Sequence, residues 1–257
     1  MTQVDYDPIA PAFDRRYAHN RFDGIERALA RFVGSATRPA VVEVGCGTGH
    51  WLASIADISG VVAGVDRSWA MLQRARAAAP HALLAHATAE DLPFASERFD
   101  RAFCVNALHH FTDQTAFLRE CRRLLRVGGT FLTIGLDPHT GVDHWWIYDY
   151  FPAALAADRR RYLPTQRIRN LLLDTGFATA STEIVHHVPA ERPFDLALEQ
   201  GLLDRRSTSQ LMVISDAEYE SGMRRLLSDR PTLRADLRLF ATVGELEGLN
   251  GERLARS

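Results

Sequence analysis

Three glycines, at 45, 47 and 49, follow an acidic residue in Val41-Val-Glu-Val-Gly-Cys-Gly-Thr-Gly49. Glycine allows a tight turn and lets a ligand approach the backbone without a Cβ in the way. A helix starting just after such a turn offers N–H groups with no partner inside the helix. The loop therefore reads as a ligand cradle. It is not the dinucleotide pattern G-x-G-x-x-G, because the position of the third glycine is His50. Glu43, at the leading edge, suits a cationic or zwitterionic ligand better than a pyrophosphate. Asp66 follows about twenty residues later, where an acid in a doubly wound sheet accepts hydrogen bonds from ribose hydroxyls. Asn106-Ala-Leu-His-His110 adds polar groups further on, and His110 is the better placed of its two histidines to act as a general base.

Composition narrows the chemistry. The chain has 257 residues and 30 basic side chains, every one of them arginine. Without lysine there is no Schiff base, no pyridoxal attachment and no P-loop grip on phosphate. A net charge of −2 argues against a nucleic-acid partner. No run reaches the roughly 18 apolar residues of a membrane span, and the N-terminus has no signal-like apolar segment. The three cysteines form no paired motif, which fits a reducing compartment. A cytoplasmic location with no membrane partner is expected.

The elements that must position these residues alternate. Strands are predicted at 40–44, 61–65, 82–87, 99–105, 130–136, 177–188 and 237–243, with helices between most of them. Ser68 reads as an N-cap, Thr112 as the cap of a helix to Arg126, Gly128-Gly129 as its end, and Ser215 as the cap of a late helix. Strand and helix in alternation predict a mainly parallel sheet covered on both faces.

Together these residues resemble the class I S-adenosylmethionine-dependent methyltransferases of the small-molecule branch. The matching blocks are E-V-G-C-G-T-G-H at 43–50, G-V-D-R-S-W-A-M-L at 64–72, A-E-D-L-P-F at 89–94, F-D at 99–100, N-A-L-H-H at 106–110 and L-L-R-V-G-G at 124–129. The opening Tyr6-Asp7-x-x-Ala10-x-x-Phe13-Asp14 resembles that family's leader helix. The resemblance implies a Rossmann-like α/β fold. Its seven-stranded sheet would be mostly parallel with one antiparallel strand, with helices on both faces and helical cap insertions. It implies a cofactor lid at 1–36 and a methyltransferase domain at 37–257, with substrate-cap segments at 137–165 and 189–234.

The resemblance also assigns residues to S-adenosylmethionine. Glu43 would face the methionine ammonium or order the loop, with Gly45, Cys46 and Gly47 around the methionine moiety. Asp66 would bind the ribose hydroxyls, with Arg67 beside it. Met71, Ala89 and Glu90 would meet the adenine, and Asn106 and Ala107 would lie near the sulfonium. Tyr6, Arg16 and Tyr17 would cover the cofactor from the leader, with Arg16 on its carboxylate and Tyr17 also facing the acceptor. Thr88 stands where many family members carry Asp.

The implied reaction is methyl transfer to an O, N, S or C nucleophile of a small molecule, with His110 as base where one is needed. His109, Trp145, Trp146 and Tyr150 are the remaining candidates for the acceptor wall. Arg159-Arg160-Arg161 reads as a solvated charge run, or as a clamp for an anionic substrate. His139, Asp143 and His144 match no metal-ligand spacing, so no metal is expected. Monomer and homodimer stay open. So does a protein of the same fold with other chemistry or a binding-only role. A nicotinamide oxidoreductase is disfavoured by His50.

Overall fold

Val41, Val42 and Val44 are β-branched and buried, and they build the central strand β1 (Ala40–Val44). Strand β2 (Val61–Asp66) and strand β4 (Phe99–Val105) pair with it in parallel, one on each side. β3 (Leu83–His86) joins β2, and β5 (Leu125–Gly135) joins β4, also in parallel. The carboxyl ends of all five strands therefore share one edge. The computed structural model describes residues 6–14, 17, 22–34 and 38–248.

The sheet then reverses. β8 (Leu233–Glu245) runs antiparallel to β5, and β7 (Thr179–Arg192) runs antiparallel to β8 on its far side. The seven expected strands are present. An eighth, β6 (His144–Trp145), pairs with Ala235 and Asp236 of β8. Two residues are too short to leave an alternation pattern, so the sequence did not predict β6.

Helices cover both faces. On one, α5 (Gln114–Leu124) and α8 (Thr165–Asp174) bury Phe117, Leu118 and Leu172 with Phe131 and Phe177. On the other, α2 (Asp23–Val33) and α3 (His50–Ile55) bury Ile25, Leu29, Trp51 and Ile55 with Phe103. Each such fully buried side chain contributes about 1.5–3 kcal/mol relative to exposure. α4 (Trp69–Ala78) follows β2, and the Ser68 hydroxyl caps it by accepting from the Met71 N–H at 3.1 Å.

Two predicted boundaries move. Asp113, not Thr112, caps α5, because a carboxylate oxygen accepts from Ala116 N–H at 2.9 Å. The chain enters β5 at Leu125, before the glycine pair. Phe99 pairs with Leu125 but Arg101 pairs with Thr130, so Gly128-Gly129 lie in a bulge rather than at a helix stop.

The segment after β5 has a core of its own. Trp146, Phe151, Phe194, Leu211 and Leu226 pack together from α6 (Trp146–Tyr150), α9 (Phe194–Glu199), α10 (Ser209–Met212) and α11 (Asp216–Asp229). α7 (Pro152–Arg161) adds Ala154. Ser215 caps α11 in a reciprocal box with Glu218.

Candidate active site

β1 delivers the glycine loop to the carboxyl edge of the sheet. Gly45, Gly47 and Gly49 all have positive φ, at 74°, 51° and 81°. The turn is pinned to β2, with the N–H groups of Gly45 and Cys46 both donating to Val65 O, at 2.8 and 3.0 Å. Asp66, at the end of β2, accepts from Gly47 N–H and Ser68 N–H, each at 2.8 Å. Burial raises its pKa above the usual carboxylate value, against the pull of those N–H donors. Each carboxylate oxygen retains acceptor capacity beyond these bonds.

Space is scarce at Gly45. A Cβ there would lie 2.6 Å from the Ala107 Cβ. We expect Gly45→Ala to cost about 1–3 kcal/mol, from the left-handed φ and the overlap together. Thermal unfolding should show a fall of roughly 2–10 °C, and an unchanged melting temperature would contradict the tight approach.

Glu43 is 1% exposed. Its Oε2 is buried and has no hydrogen-bond partner among the described residues. Burial, and then the Asp66 charge, push its pKa well above the ordinary range. An orphaned carboxyl oxygen beside a second acid is a costly arrangement that a bound cation relieves.

Asn106 follows β4, and its φ of 50° is unusual for a residue with a Cβ. Its N–H donates to Ile134 O at 2.7 Å, tying the ends of β4 and β5 together. A short 3-10 turn, Leu108–His110, then carries two histidines to different places. His110 Nε2 lies 2.6 Å from the Tyr6 hydroxyl. His109 turns away and stacks on Tyr162, with ring centroids 3.8 Å apart. Burial, then His110 and Arg161, hold its pKa well below the usual imidazole value, so it stays neutral.

The leader crosses above this floor. Ile9 and Ala10 pack on Met71, and α1 (Ala10–Phe13) continues over the loop. The Ser68 hydroxyl donates to Asp7, and the Thr48 hydroxyl donates to Asp14 at 2.5 Å. Tyr17 stacks on His50 at 3.6 Å.

The result is a cleft of about 1170 Å³, its open mouth included. Of the expected cofactor residues, Tyr6, Glu43, Gly45, Cys46, Gly47, Asp66, Arg67, Met71, Ala89, Glu90, Asn106 and Ala107 line it, as do Tyr17, Thr88 and His110. Arg16 lies outside the described residues. Glu90 also accepts from Thr112 N–H and Asp113 N–H, at 2.7 and 3.1 Å, joining the loop after β3 to that after β4. Phe111 and Thr112 line the cleft too and were not expected there from the sequence. Their position just after His110, at the carboxyl edge, was the available signal.

The structure does not bring every candidate here. Trp145, Trp146 and Tyr150 are not part of the cleft wall. They pack in or against the core of the α6–α11 region, which needs their apolar surface. His109 lines a separate, smaller cavity. His139, Asp143 and His144 are dispersed, bonding to Tyr162 O, to Arg238 and to Asp149 respectively.

The cleft presents the carboxyl groups of Glu43 and Asp66 and the apolar side chains of Met71 and Ala89. Residues 42–133 match the family model described as a methyltransferase domain. An O-methyltransferase of Aspergillus sclerotiorum is 32% identical over 122 residues, covering 44% of this chain and 46% of that one. The ubiquinone biosynthesis O-methyltransferase of Dinoroseobacter shibae is 29% identical over 173 residues, covering 61% and 69%. In fold, phosphoethanolamine N-methyltransferase 2 of Haemonchus contortus, solved with phosphomonomethylethanolamine and S-adenosylhomocysteine, superposes with a TM-score of 0.61 at 20% identity, covering 94% of this chain and 57% of that one. Over that matched part the chain is similar to S-adenosylmethionine-dependent methyltransferases. The chain spans half or less of the length of the first relatives it matches. No described helix is long and apolar enough to cross a membrane.

Proposed function

We propose that the protein is an enzyme that moves the methyl group of S-adenosylmethionine to an O, N, S or C nucleophile of a small molecule. The observation that carries this is the cleft in which the orphaned Glu43 oxygen and the Asp66 carboxylate meet the glycine turn and Asn106. The cofactor brings an activated methyl group, so the protein's task is alignment and exclusion of water. Glu43 and Asp66 hold the two polar ends of the cofactor. Tyr6, Phe13 and Tyr17 cover the cleft, and residues 1–36 act as the lid. His110 takes the acceptor's proton where the acceptor retains one at neutral pH, and Tyr6 orients its imidazole. Segments 137–165 and 189–234 form the acceptor cap.

Calorimetric titration with S-adenosylmethionine and S-adenosylhomocysteine tests the reading. A folded sample that gives no heat with either would end it.

Glu43 gives the titration a pH signature. Its folded pKa is raised, so the stability conferred by the neutral acid is fully present below the ordinary carboxylate value. That stability is lost as pH rises through the folded value. A cation bound beside Glu43 favours the carboxylate, so binding should release a proton. We expect affinity for S-adenosylhomocysteine to rise with pH until Glu43 is ionised in the ligand-free protein. Glu43→Gln should flatten that rise. Equal proton release by both proteins, measured in buffers of different ionisation enthalpy, would remove Glu43 from the cation site.

A further inference from the structure

The lining of the cleft is of two kinds. Glu43, Asp66, Thr88 and Glu90, from β1 to β3 and the loops after them, are polar, whereas Tyr6, Phe13, Tyr17, Phe22 and Trp51 bring rings to the same space. The rings touch one another in a run. Tyr6 meets Phe13 edge-to-face with centroids 5.9 Å apart, and Phe13 meets Tyr17 at 6.5 Å. Tyr17 meets Phe22 and Trp51 at 5.9 and 5.8 Å. Trp51 is buried, but the other four are half-buried and keep ring surface after packing on each other.

At its other end the run meets a base. The Tyr6 ring lies edge-on to the His110 imidazole at 5.1 Å, and its hydroxyl is 2.6 Å from Nε2. Aliphatic side chains would seal a cofactor equally well. A run of edge-to-face rings is matched by one more flat ring laid against it. The base then restricts the nucleophile. An imidazole, with an ordinary pKa of about 6.5, is within about four units of an aryl hydroxyl at about 10. An alkyl alcohol, closer to the roughly 15.7 of water, is out of its reach. Charge points the same way. Transfer from a sulfonium to an aryl oxide cancels two opposite charges, whose attraction an apolar wall strengthens. Transfer to an amine leaves a charge behind.

We propose that the methyl acceptor is a small aromatic hydroxyl compound, laid against the leader rings with its O–H at the Tyr6–His110 pair. The inference rests on the methyltransferase reading. The acceptor O–H donates to the Tyr6 oxygen, and Tyr6 donates to an unprotonated His110 Nε2. As the acceptor O–H breaks, its proton passes to Tyr6 and the Tyr6 proton passes to Nε2. The aryl oxygen forms the new C–O bond with its electron pair, and the pair of the broken methyl–sulfur bond stays on sulfur as a neutral thioether. Tyr6 belongs to the leader, so this proton path is complete only with the leader in place.

The test is calorimetric titration of the full chain, saturated with S-adenosylhomocysteine, with 2-naphthol, its saturated counterpart decahydro-2-naphthol, and 2-naphthylmethylamine. Wild type should bind 2-naphthol about tenfold or more tighter than decahydro-2-naphthol. Phe13→Leu keeps apolar surface but loses a ring, and should cut that preference about threefold. Tyr6→Phe keeps the ring but loses the hydroxyl, and should weaken 2-naphthol about threefold or more. No binding of 2-naphthol would mean that the rings only cover the cofactor, and would overturn the proposal. Equal binding of the saturated probe, tighter binding of the amine, or 2-naphthol affinity unchanged in both variants would do the same. Heat from S-adenosylhomocysteine separates the two readings. With that heat present, a failed naphthol preference removes the aromatic acceptor alone; with it absent, the methyltransferase reading falls and the acceptor falls with it.

Discussion

Replacing Asp66 by Ala is expected to lower affinity for S-adenosylhomocysteine by about 10²–10⁴-fold. A hydrogen bond to a charged group is worth roughly 1.5–3 kcal/mol, and a carboxylate facing a ribose diol makes two. The effect extends beyond that contact. Asp66 also accepts the Gly47 and Ser68 N–H groups, so the glycine turn and the start of α4 share one anchor. The fold should survive, because burial already disfavours the Asp66 charge and its raised pKa records that cost. A calorimetric titration beside a thermal melt separates the two effects. Affinity within threefold of wild type would remove Asp66 from the cofactor site.

Asp158 should give the largest stability effect. It is fully buried and accepts from Arg161 and from the Tyr148 hydroxyl, the latter at 2.7 Å. Asp158→Ala leaves the Arg161 charge uncompensated in the interior, which typically costs about 3–5 kcal/mol. For a chain of this size that is a fall in melting temperature of roughly 6–20 °C. The exposed pair Arg234–Glu191, at 67% and 65% side-chain exposure, is the natural control. Breaking it should cost less than about 1 kcal/mol. Similar losses from the two changes would mean that Asp158 is not the counter-charge it is taken to be. Removing both Asp158 and Arg161 should recover part of the loss, because the stranded charge goes with its partner.

The legible parts of the sequence were those with local chemistry. The loop at 43–50 could be read because glycine has few other reasons to recur at alternate positions between a strand and a helix. Asp66, Ser68 and Ser215 could be read because strand ends and helix caps restrict residue type. The aromatic run at 145–151 was not legible in this way. Its composition suits a pocket wall and a small core equally, and only the packing of α9 and α11 against it decides. Asn106 was not read as left-handed, although Asn is one of the few residues with a Cβ that adopt that backbone readily. Arg161 could not be told from Arg159 and Arg160, because helix periodicity does not say which side chain meets Asp158 one turn earlier.

The order of strands in the sheet has a consequence for the newborn chain. β8 is the last of the described strands in sequence, yet it lies between β5 and β7. β5 is complete at residue 135 and β7 at residue 192, and the edge that each presents to β8 has no strand to pair with until residue 245 is available. While the protein is being synthesised, these two strand edges therefore stay unpaired. Such edges are templates for pairing with other chains. The glycine cradle, strung between β1 and β2, has no such wait. The strands that hold the cradle are all available before the sheet can close.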